Sequence, residues 1–488
     1  MRLSIGTNFS EDLLQNIEDT HVKCLFGKLT SDIIGGGRPS FALPQVDEEI
    51  IVTHIANTHK RGIEFNYLLN SVCLDNLELT KMTNKEIIYF LHKIREWKVD
   101  WVTITIPYLI NLVKKQLPEV RISISTFSNV DSIQKAKFYE NLGVDEITLP
   151  ESCNRNFSFL SQLKKSTKMD YQLIATNDCL LSCQYRHHHP IFQSHASQTN
   201  HITKGFALDY CLLRCTQYRL KDPSQYIKSP WIRPEDLGIY EELGFDKFKI
   251  TERLKNTKSL KKVISAYSDR HFDGNLAEIL NIRMNQEDFV FPNFSYNENS
   301  DFADPEKFTN IYRLLFSNKV FIDNRKLDGF INFFIKKDFD CLQSDCNSCG
   351  YCNRIANNVI KINDDEAKKS LERFDEVFEE LDSGKFFEEK KGSCIWNEDI
   401  HELLHKIIKE KPIFIRKIAY SQIKKRSEEL SKEESLNEVS LKNLLIANFE
   451  MTPKAFHKQI LQSFPKIGIS IDNFPEIVEK FNLKGYEK

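Results

Sequence analysis

The chain has 488 residues, 41% apolar and 28% charged, enough for about three domains or one barrel of ~250 residues with additions. With 67 Lys and Arg against 69 Asp and Glu the net charge is -2, which excludes a chain-wide nucleic-acid footprint and leaves room only for a local basic patch. The 17 Gly and 15 Pro exclude collagen-like and most low-complexity classes.

Strand-like runs are predicted near Arg2–Phe9, Val22–Lys28, Gly62–Leu69, Trp101–Ile106, Arg121–Thr126, Asp145–Leu149, Tyr171–Thr176 and Asp246–Ile250. Between several of them the spacing is helical, as in Asn84–Trp97 and Ser132–Leu142. Short apolar runs alternating with helices mean parallel strands covered on both faces. Eight of them predict an α/β fold, a TIM-like (β/α)8 barrel, over residues 1–255 with a cysteine- and histidine-rich loop. Residues 256–365 read as a helical segment with a four-cysteine motif. There Asn293–Asp304 reads as a loop, and Glu306–Phe316, Arg325–Lys336 and Asn353–Ile362 as helices. Residues 366–488, rich in Lys and Glu, read as a C-terminal helical extension with helices at Glu372–Leu381, Ile400–Lys409, Lys442–Phe449 and Pro453–Gln462. Its charge runs read as solvated faces, with a protein-partner or nucleic-acid surface as the alternative.

No apolar run approaches ~18 residues, so no membrane span is predicted. The start, MRLSIGTNFSEDLL, has no apolar signal core, so a cytoplasmic chain is expected. Its 12 Cys are then reduced thiols, and clustered ones read as metal ligands rather than disulfides.

The first cluster follows the seventh strand, on the side of a parallel barrel where active sites sit. Cys179 and Cys183 in CLLSC are echoed by Cys211 and Cys215 in CLLRC. A C-x3-C pair on a helical turn puts both thiols on one face. Two such pairs supply four thiolates, enough for a tetrahedral zinc or a four-iron cluster. C-x3-C is not a standard zinc spacing. Cys73 and Cys153 also follow strand ends and could replace one of the four, whereas Cys24 and Cys394 read as bystanders. The second cluster is Cys341, Cys346, Cys349 and Cys352 in CLQSDCNSCGYC, a complete ligand set within twelve residues. Its C-x2-C-x2-C core favours an iron–sulfur cluster, with structural zinc as the alternative.

Between the arms of the first cluster lie Arg186, His187, His188, His189, His195 and His201, a polar lid from which Arg186, His189 and His195 stand out as candidates for chemistry. Glu252 and Arg253 end the eighth strand and are expected over the barrel mouth. There Arg253 either holds a carboxylate or phosphate or pairs with a neighbouring acid. The run Gly35-Gly36-Gly37-Arg38 could cradle an anion.

Asn177–Cys183, the SHAS at Ser194–Ser197, and above all Ser229–Arg253 (SPWIRPEDLGIYEELGFDKFKITER) resemble the collagenase-like U32 peptidase family, as do Gly62–Asn70 and Ser123–Asp145. The resemblance covers residues 1–255 and the cysteine run at 341–352, and does not reach the tail. It implies a TIM-like barrel and, for many members, a four-iron cluster near the central loop, with Cys179, Cys183, Cys211 and Cys215 as its counterparts here. It also implies oxygen-independent hydroxylation of a small molecule such as a ubiquinone precursor, or of an RNA base. The alternatives are a metal-dependent or cysteine-site peptidase of the same family and a zinc-stabilised scaffold. The sequence contains no H-E-x-x-H and no G-x-S-x-G. The expected cofactors are one or two four-iron clusters, with zinc as the alternative at Cys341–Cys352.

Overall fold

The computed structural model of the chain describes residues 1–18, 20–289, 305–336, 340–387, 394–412 and 415–483. Eight strands, β1 (Arg2–Gly6), β2 (Val22–Gly27), β3 (Glu64–Leu69), β4 (Trp101–Ile104), β5 (Arg121–Ile124), β6 (Glu146–Thr148), β7 (Asp170–Ile174) and β8 (Lys247–Ile250), close a barrel in sequence order. Every pair is parallel, and β8 returns to β1 with Leu3 opposite Phe248 and Ile5 opposite Ile250. All eight expected strands are present. Several stop two or three residues early at their C-terminal ends, because the chain is already turning there to build the mouth: Phe9 has φ 61, and Ile106 caps the helix Pro107–Gln116.

Strand alternation separates two environments. Leu3, Ile5, Phe65, Tyr67, Val102, Ile104, Ile122, Ile124, Leu173 and Phe248 are buried in the apolar layer under the helices. The helix Lys81–Glu96 contributes Ile87, Phe90, Leu91 and Ile94, one helical face. The other strand face is polar rather than apolar. Thr103 donates to Asn66, Ser123 to Glu146, and Lys247 spans from β8 to Glu146 on β6 at 2.9 Å. These groups satisfy one another inside the barrel, so their burial carries little penalty.

Between β7 and β8 the chain makes its long excursion. The helix Tyr210–Lys221 carries Cys211 and Cys215 and is capped by Asp209, whose carboxylate accepts from Leu212 N. The expected helical turn at Cys179–Cys183 is absent: that arm is irregular, with Ser182 at φ 53. After the barrel, β9 (Val320–Ile322) pairs antiparallel with β10 (Ile360–Ile362). The expected helix Asn353–Ile362 is therefore Tyr351–Val359 followed by a strand, since Ile-Lys-Ile has the alternation and branching that favour pairing. The expected helix Arg325–Lys336 is two short pieces, Arg325–Leu327 and Asn332–Lys336, broken where Gly329 takes φ +77. The helix Pro305–Leu314 is present, and the loop expected at Asn293–Asp304 lies outside the described residues.

The chain divides into two compact units, one ending at Glu379 and the other running from Glu380 onward. The second unit has its own core, Leu404, Ile407, Ile423, Leu444, Leu445, Phe449, Phe464 and Ile477, drawn from the helices Glu398–Lys409, Arg416–Glu433, Leu441–Glu450 and those after them. Arg426 clasps Glu450 and Glu433 across it. Cys394 is buried there, with its thiol toward the carbonyls of Glu428 and Leu436. Among the described residues no helix is long and apolar enough to cross a membrane.

Candidate functional site

A cavity of about 200 Å³ opens at the C-terminal mouth of the barrel. Cys179, Cys183, Cys211 and Cys215 all line it, together with Arg186, His189, Glu252 and Arg253. Both arms of the first cysteine group thus meet at one wall, although they lie at opposite ends of a long loop. Burial pushes all four thiols up, Cys211 to about 12 and Cys215 to about 11, so each is protonated until a cation displaces the proton.

The surrounding groups are arranged for such a displacement. Arg219 is buried one helical turn beyond Cys215, with one N–H donated to Cys215 Sγ at 3.4 Å and another to the carbonyl of Asp178. Its Nε has no hydrogen-bond partner. Glu151 is buried beside Cys179. Burial works to raise its carboxyl, but Arg186 at 2.5 Å overrides that and holds it below the ordinary range, while its Oε2 is unpartnered. Asn177 donates to Cys179 Sγ at 3.4 Å.

Arg186 and His189 hold the loop in place. Arg186 donates to Glu151, Asn129 and Thr126 together, which leaves its guanidinium fully engaged. His189 sits 3.1 Å from Asp209, which ties the histidine-rich segment to the cap of the Cys211–Cys215 helix. His187 and His188 are exposed. His195 does not line the cavity; it lies beside Asp75 and stacks on His201 with ring centroids 4.3 Å apart.

Cations line the same cavity. Arg38, Lys249, Arg253 and Arg283 line it; the sequence pointed to Arg253 and, through the glycine run, to Arg38, but gave no binding signal for Lys249 or Arg283. Among the described residues no carboxylate pairs with the Arg253 guanidinium. Glu252 is not that partner, because its Oε1 accepts from the backbone N–H groups of Arg253 and Leu254. Burial, reinforced by Arg38, pulls Arg253 down to about 9, and burial pulls Lys249 down to about 8. These cations are held at a cost, as they are where an anion completes a site. The glycine run contributes only Gly37 and Arg38: the amides of Ile34, Gly35 and Gly36 are taken by Asp32 and Ser197, so they cradle no ligand.

Cys341, Cys346, Cys349 and Cys352 line a separate, smaller cavity of about 30 Å³. Asp345 caps the turn Cys346–Cys349, and Gly350 at φ +60 ends it so that Cys352 can begin the next helix. Tyr351 stacks on Phe333 at 3.9 Å and donates to the carbonyl of Phe330, which seats the motif on the barrel unit. Arg155, buried against Trp231, Phe330 and Phe334, lends positive charge to Cys352 and Cys341, and its Nε is also unpartnered. Cys153 is buried in the core and lines neither cavity. Cys73 lies with Asp75 and His195.

Each cysteine group offers a full set of four thiol donors, enough for a tetrahedral metal ion or an iron–sulfur cluster. Each has four thiols, and each has a buried arginine with an unpartnered N–H of the kind that hydrogen-bonds cluster sulfur. A tetrahedral zinc would bring its sulfurs to about 3.8 Å of one another at ordinary Zn–S lengths. Among the described residues neither quartet has three sulfurs within 4.8 Å of one another.

Fold and site together define a (β/α)8-barrel protein with a mouth lined by both thiols and cations. The model of peptidase family U32 matches residues 42–288, just over half of the chain, and the chain belongs to that family. The second cysteine group lies beyond the matched span. The chain is 29% identical over 331 residues to an uncharacterized protease of Methanocaldococcus jannaschii, covering 68% of this chain and 87% of that protein. The solved structure of the U32 peptidase Mk0906 is 19% identical with a TM-score of 0.39, over 51% of this chain and 91% of that one. A glycerol uptake operon antiterminator-related protein of Thermotoga maritima is 13% identical with a TM-score of 0.23, over 39% of this chain and 90% of that one.

Proposed function

We propose that this chain is an iron–sulfur redox enzyme that binds an anionic substrate in the barrel mouth and acts on it without molecular oxygen, in a reaction of the hydroxylation class on a small molecule or an RNA base. The observation that carries the reading is the shared cavity, lined both by four thiols and by the cations Arg38, Lys249 and Arg253. A four-iron cluster on Cys179, Cys183, Cys211 and Cys215 would supply one-electron transfer at the cavity wall.

The chain's own residues do the rest. Arg219, donating to Cys215 Sγ, compensates the charge of the thiolates as the site is loaded. Arg253 and Lys249 hold a carboxylate or phosphate, which orients the rest of the substrate toward the thiol wall. A second thiolate ligand set in the same chain, on Cys341–Cys352, supports electron supply through that site.

The peptidase of the same family is the alternative reading, and for it the described residues offer no Ser–His pair at Ser194 or Ser197. The hydroxyls of Ser194 and Ser197 donate to backbone carbonyls of Pro190, Gly36 and Ser194, and neither is bonded to a histidine. The test is the dithionite-reduced protein, prepared without oxygen, examined by electron paramagnetic resonance. A cluster signal that shifts on adding a nucleoside monophosphate or an aromatic carboxylate supports the reading. A silent, colourless protein that cleaves gelatin overturns it.

A further inference from the structure

A third constellation lies outside both cysteine groups and outside the cavity. It joins the loop after β3 to the loop after β7. Cys73, Asp75 and His195 are the only three Cys, His, Asp or Glu side chains among the described residues whose ligand atoms all lie within 4.8 Å of one another. Two observations give the trio a metal-site geometry.

The first is distance. One oxygen, Asp75 Oδ1, lies 3.6 Å from Cys73 Sγ and 3.3 Å from His195 Nε2. At ordinary Zn–S, Zn–N and Zn–O lengths, the edges of a tetrahedron are about 3.6 Å for S···O and about 3.4 Å for N···O. Both edges are already in place. The second is an unmet valence. His195 Nε2 is buried and makes no hydrogen bond, although it faces the carboxylate.

The surroundings fix the ligands. Asp75 and Asn76 both take left-handed backbone, φ 54 and 63, which folds the Asp75 carboxylate back toward Cys73. Gln198 donates to the carbonyl of Cys73 at 2.7 Å, and Val72 N donates to Ser194 Oγ at 3.0 Å, so the two loops are latched independently of the trio. His201 supplies the outer support. Its Nδ1 accepts from Thr203 N at 3.3 Å, which leaves the proton on Nε2, and Nε2 faces the second Asp75 oxygen at 3.5 Å. A histidine so protonated orients a ligating carboxylate rather than binding the metal.

We infer that Cys73, Asp75 and His195 bind a divalent, borderline-soft cation, zinc, through one sulfur, one oxygen and one nitrogen. The fourth position falls to water, since the Asp75 side chain is 45% exposed. Three protein ligands with an open fourth position are the ligand count of zinc sites that activate water. The site is independent of the iron–sulfur reading: neither its residues nor their contacts enter the cavity.

The test uses the full-length protein prepared without oxygen and dialysed against buffered zinc, then assayed for zinc and iron per chain by mass spectrometry. The wild type is expected to hold one zinc more than Cys73→Ala and one more than His195→Ala, with the iron content of all three equal. His201→Gln is expected to keep the ligands and weaken zinc binding about 10- to 100-fold. Cobalt loaded in place of zinc should give a thiolate charge-transfer band in the difference spectrum that Cys73→Ala lacks. Equal zinc in the wild type and both alanine variants overturns the site, as does a cobalt band that survives Cys73→Ala. Unchanged circular dichroism and iron content separate loss of the site from loss of the fold.

Discussion

Replacing Arg253 with Met is expected to stabilise the barrel unit while destroying ligand binding. Arg253 is 5% exposed and, among the described residues, has no carboxylate within ion-pair reach, while its stem packs against β1 at Gly6. At ~1.4 kcal/mol per tenfold change in proton affinity, the fall from 12.5 to about 9 caps the destabilisation at about 5 kcal/mol. Replacing buried charge by an apolar chain of like length gains about 1–4 kcal/mol in comparable cases, and methionine keeps most of the stem. The same substitution removes a two-pronged charge-assisted contact to an anion, about 3–4 kcal/mol or a 100- to 1,000-fold loss of affinity. Stability is read from the barrel unit's urea transition at neutral pH. Affinity is read by calorimetry with a nucleoside monophosphate or an aromatic carboxylate. A variant that is less stable than the wild type and binds equally well would refute the reasoning, and would return Arg253 to the structural ion pair that the sequence also allowed.

Lys249 makes the same cavity sensitive to pH. Its folded value, about 8, lies below the ordinary 10.5, so the unfolded chain binds more protons between these limits. Its contribution to barrel stability should therefore be unfavourable below about 8 and be relieved as pH rises toward 10.5, while anion affinity falls through the same window, and Lys249→Met should flatten both profiles. Cys179→Ala and Cys215→Ala should each lose about half of the iron and all activity with circular dichroism unchanged, because the strands do not depend on the loop. Cys349→Ala should instead lower the thermal midpoint, because its motif is seated on Phe330 and Phe333; a variant that loses activity at unchanged stability would exchange the roles of the two sites. Air exposure for a day should bleach the visible absorption and lower activity, and unchanged values of both would contradict thiolate clusters near the surface.

The barrel was legible because each strand is a short apolar run followed by a helix whose spacing is its own signal. Its interior was not, because Asn66, Glu146 and Lys247 look like surface residues until the closed sheet turns them onto one another. The two cysteine groups were legible as ligand sets, since a chain rarely repeats CLLSC as CLLRC without use for four thiols. Their helpers were less so. Arg219 could have been found, one turn past Cys215 on the same helix, whereas Glu151 and Arg155 reach their sites from the turn after β6 across the fold. His195 shows the limit of reading a loop by composition: five histidines in one segment divide among a cap, a stack and open solvent according to contacts with Asp209 and Asp75. The broken helix at Arg325–Lys336 has the same origin, since its apolar spacing is continuous and only Gly329 ends it.

The most direct test of the account is the iron and acid-labile sulfide content of protein purified without oxygen, measured beside a Cys179→Ala and Cys211→Ala double variant. The account predicts a brown wild type with about eight irons and eight sulfides per chain, and a variant that retains about half of each with its fold intact. A colourless wild type carrying zinc and no sulfide, or a double variant with the full complement of iron, would contradict it.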